Sequence, residues 1–587
     1  MNSRAGDNEL LDYYLRELDW LRNQGRDFAK RYPKVGARLD LHGGESHDPH
    51  TERLIESVAF LAARIRHDID ADFPQVASAL LENLYPALLA PLPSMTVVQM
   101  TLGVAQGKVT AGLNVPRHTA LVAQAQSGEE VRFRTAWDST LWPLHVIDAK
   151  VDDEGCIAVQ IKADDGNTLE ELSLDTLRIH LAGDSATVAT LYECLAARLK
   201  RIHITDGNGN PIAQLPAKQC QRVGFDAEHA VLPQAPGAHP AYGMLQEYFA
   251  FPAKFHFFDI HGLWALKLKG QQFSLRLDVG AASRKLRALD AEHFRLGCTV
   301  AVNLFPRTSE PAHIDHTRHE VMLVGDRARE ASTEIHSIVQ VTASEPGSDQ
   351  PLHLRHIAAL QTGESVDDVF WMARRERSLR DDLTGTDVFM SFVDRRQQRL
   401  APSAVVYART LCTNRGLAEQ ITPQTLLIGE GISNGLQIRC VSEPSRQRMP
   451  PLGSDTLWRL ISLLNLQHQS LISHAQGRDH LRELLSLFSS EQQRDLEQIR
   501  GIQRLSARAV TRHIGQQAWR GLCRGTGVRI EPEPEAFVGA SPVLFSAVLA
   551  HFFGLYTTVN SFVELGIWRG DECLVQWPPM SGAQELL

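Results

Sequence analysis

Apolar positions in the first ninety residues recur at helical spacing, and the rhythm changes to that of strands after Ser94. Leu11, Tyr14, Leu18, Leu21, Gly25, Phe28 and Tyr32 follow the alternating three-and-four spacing of a coiled-coil seam. Glu9, Asp12, Glu17, Arg22 and Arg26 lie off that seam, which predicts an amphipathic helix ending at Tyr32-Pro33. Gly43-Gly44 marks a loop, and Asp48-Pro49 supplies an N-cap with proline at the first helical position. The helix it opens carries a second seam: Thr51, Ile55, Val58, Ala62, Ile65 and Ile69. A third helix is expected from Phe73-Pro74, carrying Val76, Leu80, Leu81 and Leu84, before Pro91-Leu92-Pro93 closes a helical unit over residues 1–93. Leu11, Tyr14, Leu18, Leu21, Phe28, Ile55, Val58, Ala62 and Ile65 are the candidate partner-binding positions. Two readings of each seam stay open, a face that meets another chain and a helix packed within its own fold.

Short β-rich runs broken by Gly and Pro follow: Met95–Leu102, Val131–Arg134, Leu144–Ile147 and Leu177–Leu181, the last leading into a helix over Thr187–Leu199. They predict a β-rich mixed domain over 94–232, closed by the loose Pro233–Tyr242 segment. A mixed middle domain is expected over 243–440, with strands at Phe255–Phe258, Cys298–Val302 and Ala404–Tyr407. After Ser442–Pro451 an α+β domain over 452–587 is predicted, with helices at Asp455–Ser473, Arg478–Phe488 and Pro542–Val559. Strands are expected there at Leu505–Val510 and Gly527–Ile530, with a final hairpin turning at Arg569-Gly570-Asp571. The fold class is α+β and multidomain.

Composition narrows the function classes. The chain has 587 residues, 43% of them hydrophobic and 22% charged, with a formal charge of -9. These are ordinary globular values, which argue against a disordered, collagen-like or single coiled-coil chain. A mildly acidic chain without a long Lys/Arg block argues against nucleic acid as the main ligand, while leaving room for a local basic patch. The N-terminus shows no apolar stretch followed by small residues, so no signal peptide is expected. The eight cysteines are scattered without Cys-x-x-Cys and read as thiols in a reducing cytoplasm. Pro542–Val559 has no formally charged side chain and reaches the lower length limit of a membrane span. Its Ser546, His551, Gly554, Thr557 and Thr558, with the stripe Leu544, Val548, Phe552 and Leu555, instead predict a buried helix and no transmembrane segment.

The search for chemistry points away from an enzyme. His313, His316 and His319 form the best metal candidate, but their three-residue spacing places them on neither one helix face nor one strand face. A polar turn is the favoured reading, and no metal is expected. Gly429–Gly435 lacks the Gly-Lys-Ser/Thr ending of a phosphate loop and reads as a β-turn. Cys412 in Cys412-Thr413-Asn414-Arg415 reads as structural after an apolar strand. Asp367-Asp368 and Asp381-Asp382 read as solvated faces. No catalytic residue and no cofactor is predicted.

Longer blocks carry a family resemblance. Tyr13-Tyr14-Leu15-Arg16-Glu17-Leu18 with Phe28-Ala29, Tyr32-Pro33 and Ala37-Arg38-Leu39 resembles the opening of the TssF family, also called VasA or ImpG. These are baseplate subunits of the bacterial type VI secretion system. Asp48–Leu54 with Ala59–Arg64, then Tyr85-Pro86 and Pro91–Met95, are similar to its next blocks. Leu141-Trp142-Pro143, Gln246–Pro252 with Lys254-Phe255, Asn303–Pro306, Leu411–Arg415, Leu457–Ile461 and Phe553–Phe562 continue the likeness in order to the chain's end. One departure is His118 in Pro116-Arg117-His118-Thr119, where a glycine is expected and where a histidine with positive φ is costlier.

The resemblance implies a non-catalytic cytoplasmic scaffold of phage-tail wedge type, with an N-terminal helical bundle. It implies assembly with TssG, TssK and TssE and with a second TssF copy, around a hub that includes VgrG. The platform docks on the inner-membrane complex and carries sheath and tube polymerisation. The alternatives are a wedge of another contractile particle and a metal-dependent hydrolase centred on the three histidines.

Overall fold

The computed structural model describes residues 13–23, 28, 30–32, 34, 49–103, 109–234, 239–280, 284–286, 288–314, 317–344, 351–357, 369–378, 380, 383–394, 404–432, 435–464, 477–489, 492–513, 522–559 and 561–582. The expectations at Leu11, Gly25, Gly43-Gly44, Asp48, His316, Asp367-Asp368 and Asp381-Asp382 lie outside the described residues.

Helices dominate the start and strands the middle, as the change of rhythm at Ser94 predicts. A helix over 13–23 precedes the 36-residue helix Pro49–Leu84. That single helix corrects the expectation of separate helices on either side of Phe73-Pro74. Proline removes one backbone donor from a helix interior. The helix nevertheless continues: Ala77 and Leu81 follow Ala59 and Ala63 by five whole turns, so the buried positions at its two ends fall on the same side. The far end of this helix packs against Ser454–Leu464, where Leu457 and Leu460 share a core with Ala77 and Leu81.

A closed barrel follows. Around it run Met95–Leu102, Cys298–Val302, Glu130–Thr135, Ala120–Gln124, Leu426–Gly429 and Leu436–Cys440. Alternate residues Leu121, Ala123, Val131 and Phe133 fill its interior, in the period-two pattern of strands. Beside it lie a five-stranded and a four-stranded antiparallel sheet. In the five-stranded sheet Ile157–Ala163 alternates strictly between buried and half-buried positions. The helix expected over Thr187–Leu199 is found as Ser185–Glu193, capped by Asp184, and widens into a π turn over Cys194–Arg198.

An eight-stranded sheet spans Phe305–Thr308 to Val405–Thr413, with its own core around Val341, Val406, Ala408 and Met390. At the C-terminus a parallel pair, Leu522–Pro532 with Phe562–Arg569, is joined through the helix Pro542–Tyr556. Twelve of that helix's fifteen residues are buried, and among the described residues no helix is long and apolar enough to cross a membrane. Its Val543–Tyr556 side chains belong to the same core as Ile157–Ala163 and Leu177–Leu181, so the last segment is built into the middle of the molecule. Tyr242, on the helix Pro240–Ala250, marks the junction: its hydroxyl meets that of Tyr556 at 3.0 Å, and its ring stacks on Phe488.

Candidate interaction surface

The helix 13–23 and the first half of Pro49–Leu84 are joined by Arg22 donating to Glu52 at 2.5 Å. Leu18, one turn before Arg22, is buried, and Ala59 and Ala63 lie on the Glu52 face of the long helix with no exposure at all. Two alanines four residues apart form a flat strip that lets a neighbouring helix lie close.

The opposite face is apolar as well. Leu54, Val58, Leu61 and Ile65, spaced four, three and four, stand 66%, 50%, 57% and 60% exposed. At 100° per residue these four fall within about 60° of one another and, on average, roughly 150° from Ala59 and Ala63. A helix apolar on two sides has one side more than its own fold uses. Leu15, Trp20, Phe28 and Tyr32, in the preceding segment, are exposed as well, the rings of Phe28 and Tyr32 lying 5.2 Å apart. An exposed apolar stripe of this kind marks a contact with another macromolecule.

The predicted seam positions therefore divide. Leu18 is buried, Tyr14, Leu21, Ile55 and Ala62 are half-buried, and Phe28, Val58 and Ile65 face outward. Sequence reasoning missed Leu54 and Leu61, because a heptad reading selects one stripe and stops. The signal was present: the run from Leu54 to Ile65 holds more apolar residues than one seam can place.

Elsewhere, groups with chemical potential are held in structural roles. Cys412 is fully buried, and burial pushes its thiol up to about 11. His313 and His319 are exposed. Among the described residues Asp226, Glu228 and His229 bring ligand-type atoms within 4.8 Å of one another, and His229 already faces Asp226 at 3.6 Å. Asn414 Oδ1 accepts from Arg132 N and Asn303 Nδ2, both at 2.8 Å, while Asn414 N donates to Asn303 Oδ1 at 2.7 Å. This reciprocal pair stitches the barrel to the eight-stranded sheet. Glu247 and Lys254 form a fully buried ion pair, and Glu247 Oε1 also accepts from Val231 N and Leu232 N at 2.7 and 2.8 Å. The Asn303, Leu411–Arg415 and Gln246–Lys254 blocks thus serve the interior.

Buried polar links in the interior and an uncovered apolar stripe at one end define an assembly protein. Comparison with known proteins gives the family. The family model described as "Type VI secretion system, TssF" matches residues 6–584, and the chain belongs to that family. It is 31% identical to the type VI secretion system component TssF1 of Pseudomonas aeruginosa PAO1, over 98% of this chain and 99% of that one. Among solved structures it resembles a chain of the TssK-TssF-TssG baseplate subcomplex determined by cryo-electron microscopy. The TM-score is 0.72 at 22% identity, covering 90% of this chain and 99% of that one. A chain of a type VI secretion baseplate complex matches with a TM-score of 0.61 at 20% identity, covering 98% and 100%.

Proposed function

We propose that this chain is a wedge subunit of a type VI secretion baseplate, binding a TssG-type partner through the stripe Leu54, Val58, Leu61 and Ile65, together with the seam positions Tyr14, Leu21 and Phe28. The observation that carries this reading is the exposed apolar stripe on a chain whose fold follows a subunit of a TssK-TssF-TssG subcomplex over nine tenths of its length. In this reading TssK joins through the TssG-bound complex, and TssE and a second copy of the chain complete the wedge around a hub containing VgrG. The assembly stands on the cytoplasmic side of the inner membrane, docked to the membrane complex, and carries sheath and tube growth. Its role is architectural and uses no cofactor or metal.

Co-expression with the TssG and TssK proteins of the same source tests this. The expected outcome is one stable complex that survives size exclusion. A chain that stays monomeric and indifferent to TssG sinks the reading.

A further inference from the structure

Between Gly501 and Ile530 the sequence holds six arginines and no Lys, Asp or Glu, in a chain whose net charge is -9. The fold spreads most of them over one face of a sheet. Ile502–His513 pairs antiparallel with Leu522–Pro532, setting Arg504 opposite Glu531, Arg508 opposite Gly527 and Arg512 opposite Cys523. Directly opposed residues share a face, so Arg504, Arg508, Arg512 and Arg529 stand together. The other face carries Leu505, Ala507, Val528 and Ile530 into the core.

Two carboxylates lie on the arginine face. Arg512 forks onto Glu564 with two bonds of 3.0 Å, and Arg529 and Arg504 reach Glu531 at 2.9 and 3.7 Å. Arg529 also lies over the Trp568 ring, 4.6 Å from its centroid. Arg508, in the centre, is exposed and has no carboxylate partner among the described residues. Its stem lies over Gly527, where a Cβ would stand 3.5 Å from Arg508 Cγ and from Glu564 Oε1. The face therefore keeps an excess of positive charge, with a vacant guanidinium fork at its middle.

We infer that this arginine face is a docking surface for a short acidic segment of a partner protein. Charge complementarity selects the occupant's sign, and scale selects its class. Arg504, Arg508 and Arg512 recur about every 13 Å along the strand, the reach of four residues of an extended peptide. The patch is only two or three Debye lengths long at physiological salt, about 8 Å each. A short acidic segment senses this patch alone. An extended polyanion, whether duplex nucleic acid or an anionic bilayer, also meets the negative remainder of the chain and the two carboxylates within the face. The inference is independent of the wedge reading, because it concerns a different face and a different chemistry.

Fluorescence anisotropy of a labelled ten-glutamate peptide, titrated with the full chain at low salt, tests it. Phosphatidylserine vesicles and duplex DNA serve as alternative ligands. The expected result is salt-sensitive peptide binding that weakens about tenfold or more in Arg504→Gln/Arg508→Gln and is unchanged in Arg459→Gln. Arg459 is likewise exposed but pairs with Glu483 elsewhere on the molecule. Should the double variant misfold, Arg508→Gln alone is expected to weaken binding at least threefold, since that side chain makes no ion pair among the described residues. Absence of peptide binding, binding unchanged in these variants, or vesicles or DNA bound as tightly as the peptide overturns the assignment.

Discussion

Lys254 and Glu247 show how much a single buried residue can hold. Both are under 4% exposed, and the carboxylate also satisfies the backbone N–H groups of Val231 and Leu232, just before the Pro233–Tyr242 segment. Removing one member of such a pair leaves a charge buried without its counterion. Lys254→Met is expected to lower stability by about 3–5 kcal/mol, read from the denaturation midpoint, with Glu247→Gln/Lys254→Met recovering part of the loss. His118 is the opposite case, a small strain at the surface. Its φ of 67° is the left-handed conformation that the glycine expected there would adopt freely, and Thr135 O holds its N–H at 2.8 Å. His118→Gly is expected to raise the unfolding free energy by up to about 1 kcal/mol, and a lowered midpoint would refute the strain. Both sites lay within quoted sequence blocks, but their roles did not. A buried Lys reads in sequence as a surface charge until its partner, seven residues away across a turn, is seen.

For whole elements, the long helix carries the sharpest contrast. Leu18→Asp places a carboxylate at a buried position of the first helix, and is expected to cost several kcal/mol of stability. Leu54→Glu with Leu61→Glu alters only the outer stripe. The double variant is expected to melt within about 0.5 kcal/mol of the parent in the isolated chain and to fail to retain the TssG-type partner. If both variants bound that partner equally well, the stripe would have no part in assembly. The elements themselves were largely legible. Met95–Leu102 and the Arg569-Gly570-Asp571 hairpin appear where alternation and turn residues place them. Phe73-Pro74 misleads as a boundary, because the one backbone donor that proline removes does not end a helix of 36 residues. Leu505–Val510 and Gly527–Ile530 were seen as strands, but their partnership as one long hairpin, and with it the arginine face, required the register.

Taken whole, the molecule was least legible in its long-range pairing. Nothing local in Met95–Leu102 tells that its neighbours in the barrel are Cys298–Val302 and Leu436–Cys440, since a short apolar run offers the same backbone edge to many partners. The distributed interior also has a pH signature. His180 and His336 are buried, and burial holds the first well below the usual imidazole value and the second near about 3. Burial likewise lowers His256 and His551 to about 4. An unfolded chain protonates these rings near pH 6.5 while the folded chain does not, so stability is complete above about pH 6.5 and falls as pH drops toward 4. Each ring contributes up to about 1.4 kcal/mol per pH unit within that window. A melting temperature that stayed level between pH 7 and 4.5 would contradict this, and His336→Phe is expected to flatten part of the slope.

The barrel's closure has a further consequence, in time. Its first strand is made near residue 95 and its last near residue 440. At translation rates of about 5–20 residues per second, the first strand waits on the order of 20–70 s for its final neighbour. Through that interval Val98 and Met100, later sealed inside, have no finished barrel to cover them. The central core waits longer still, for a helix that ends at Tyr556. Nascent chains of this protein are thus a natural client for ribosome-associated chaperones, and a message truncated before the last helix would release a product with an open core rather than a smaller stable domain.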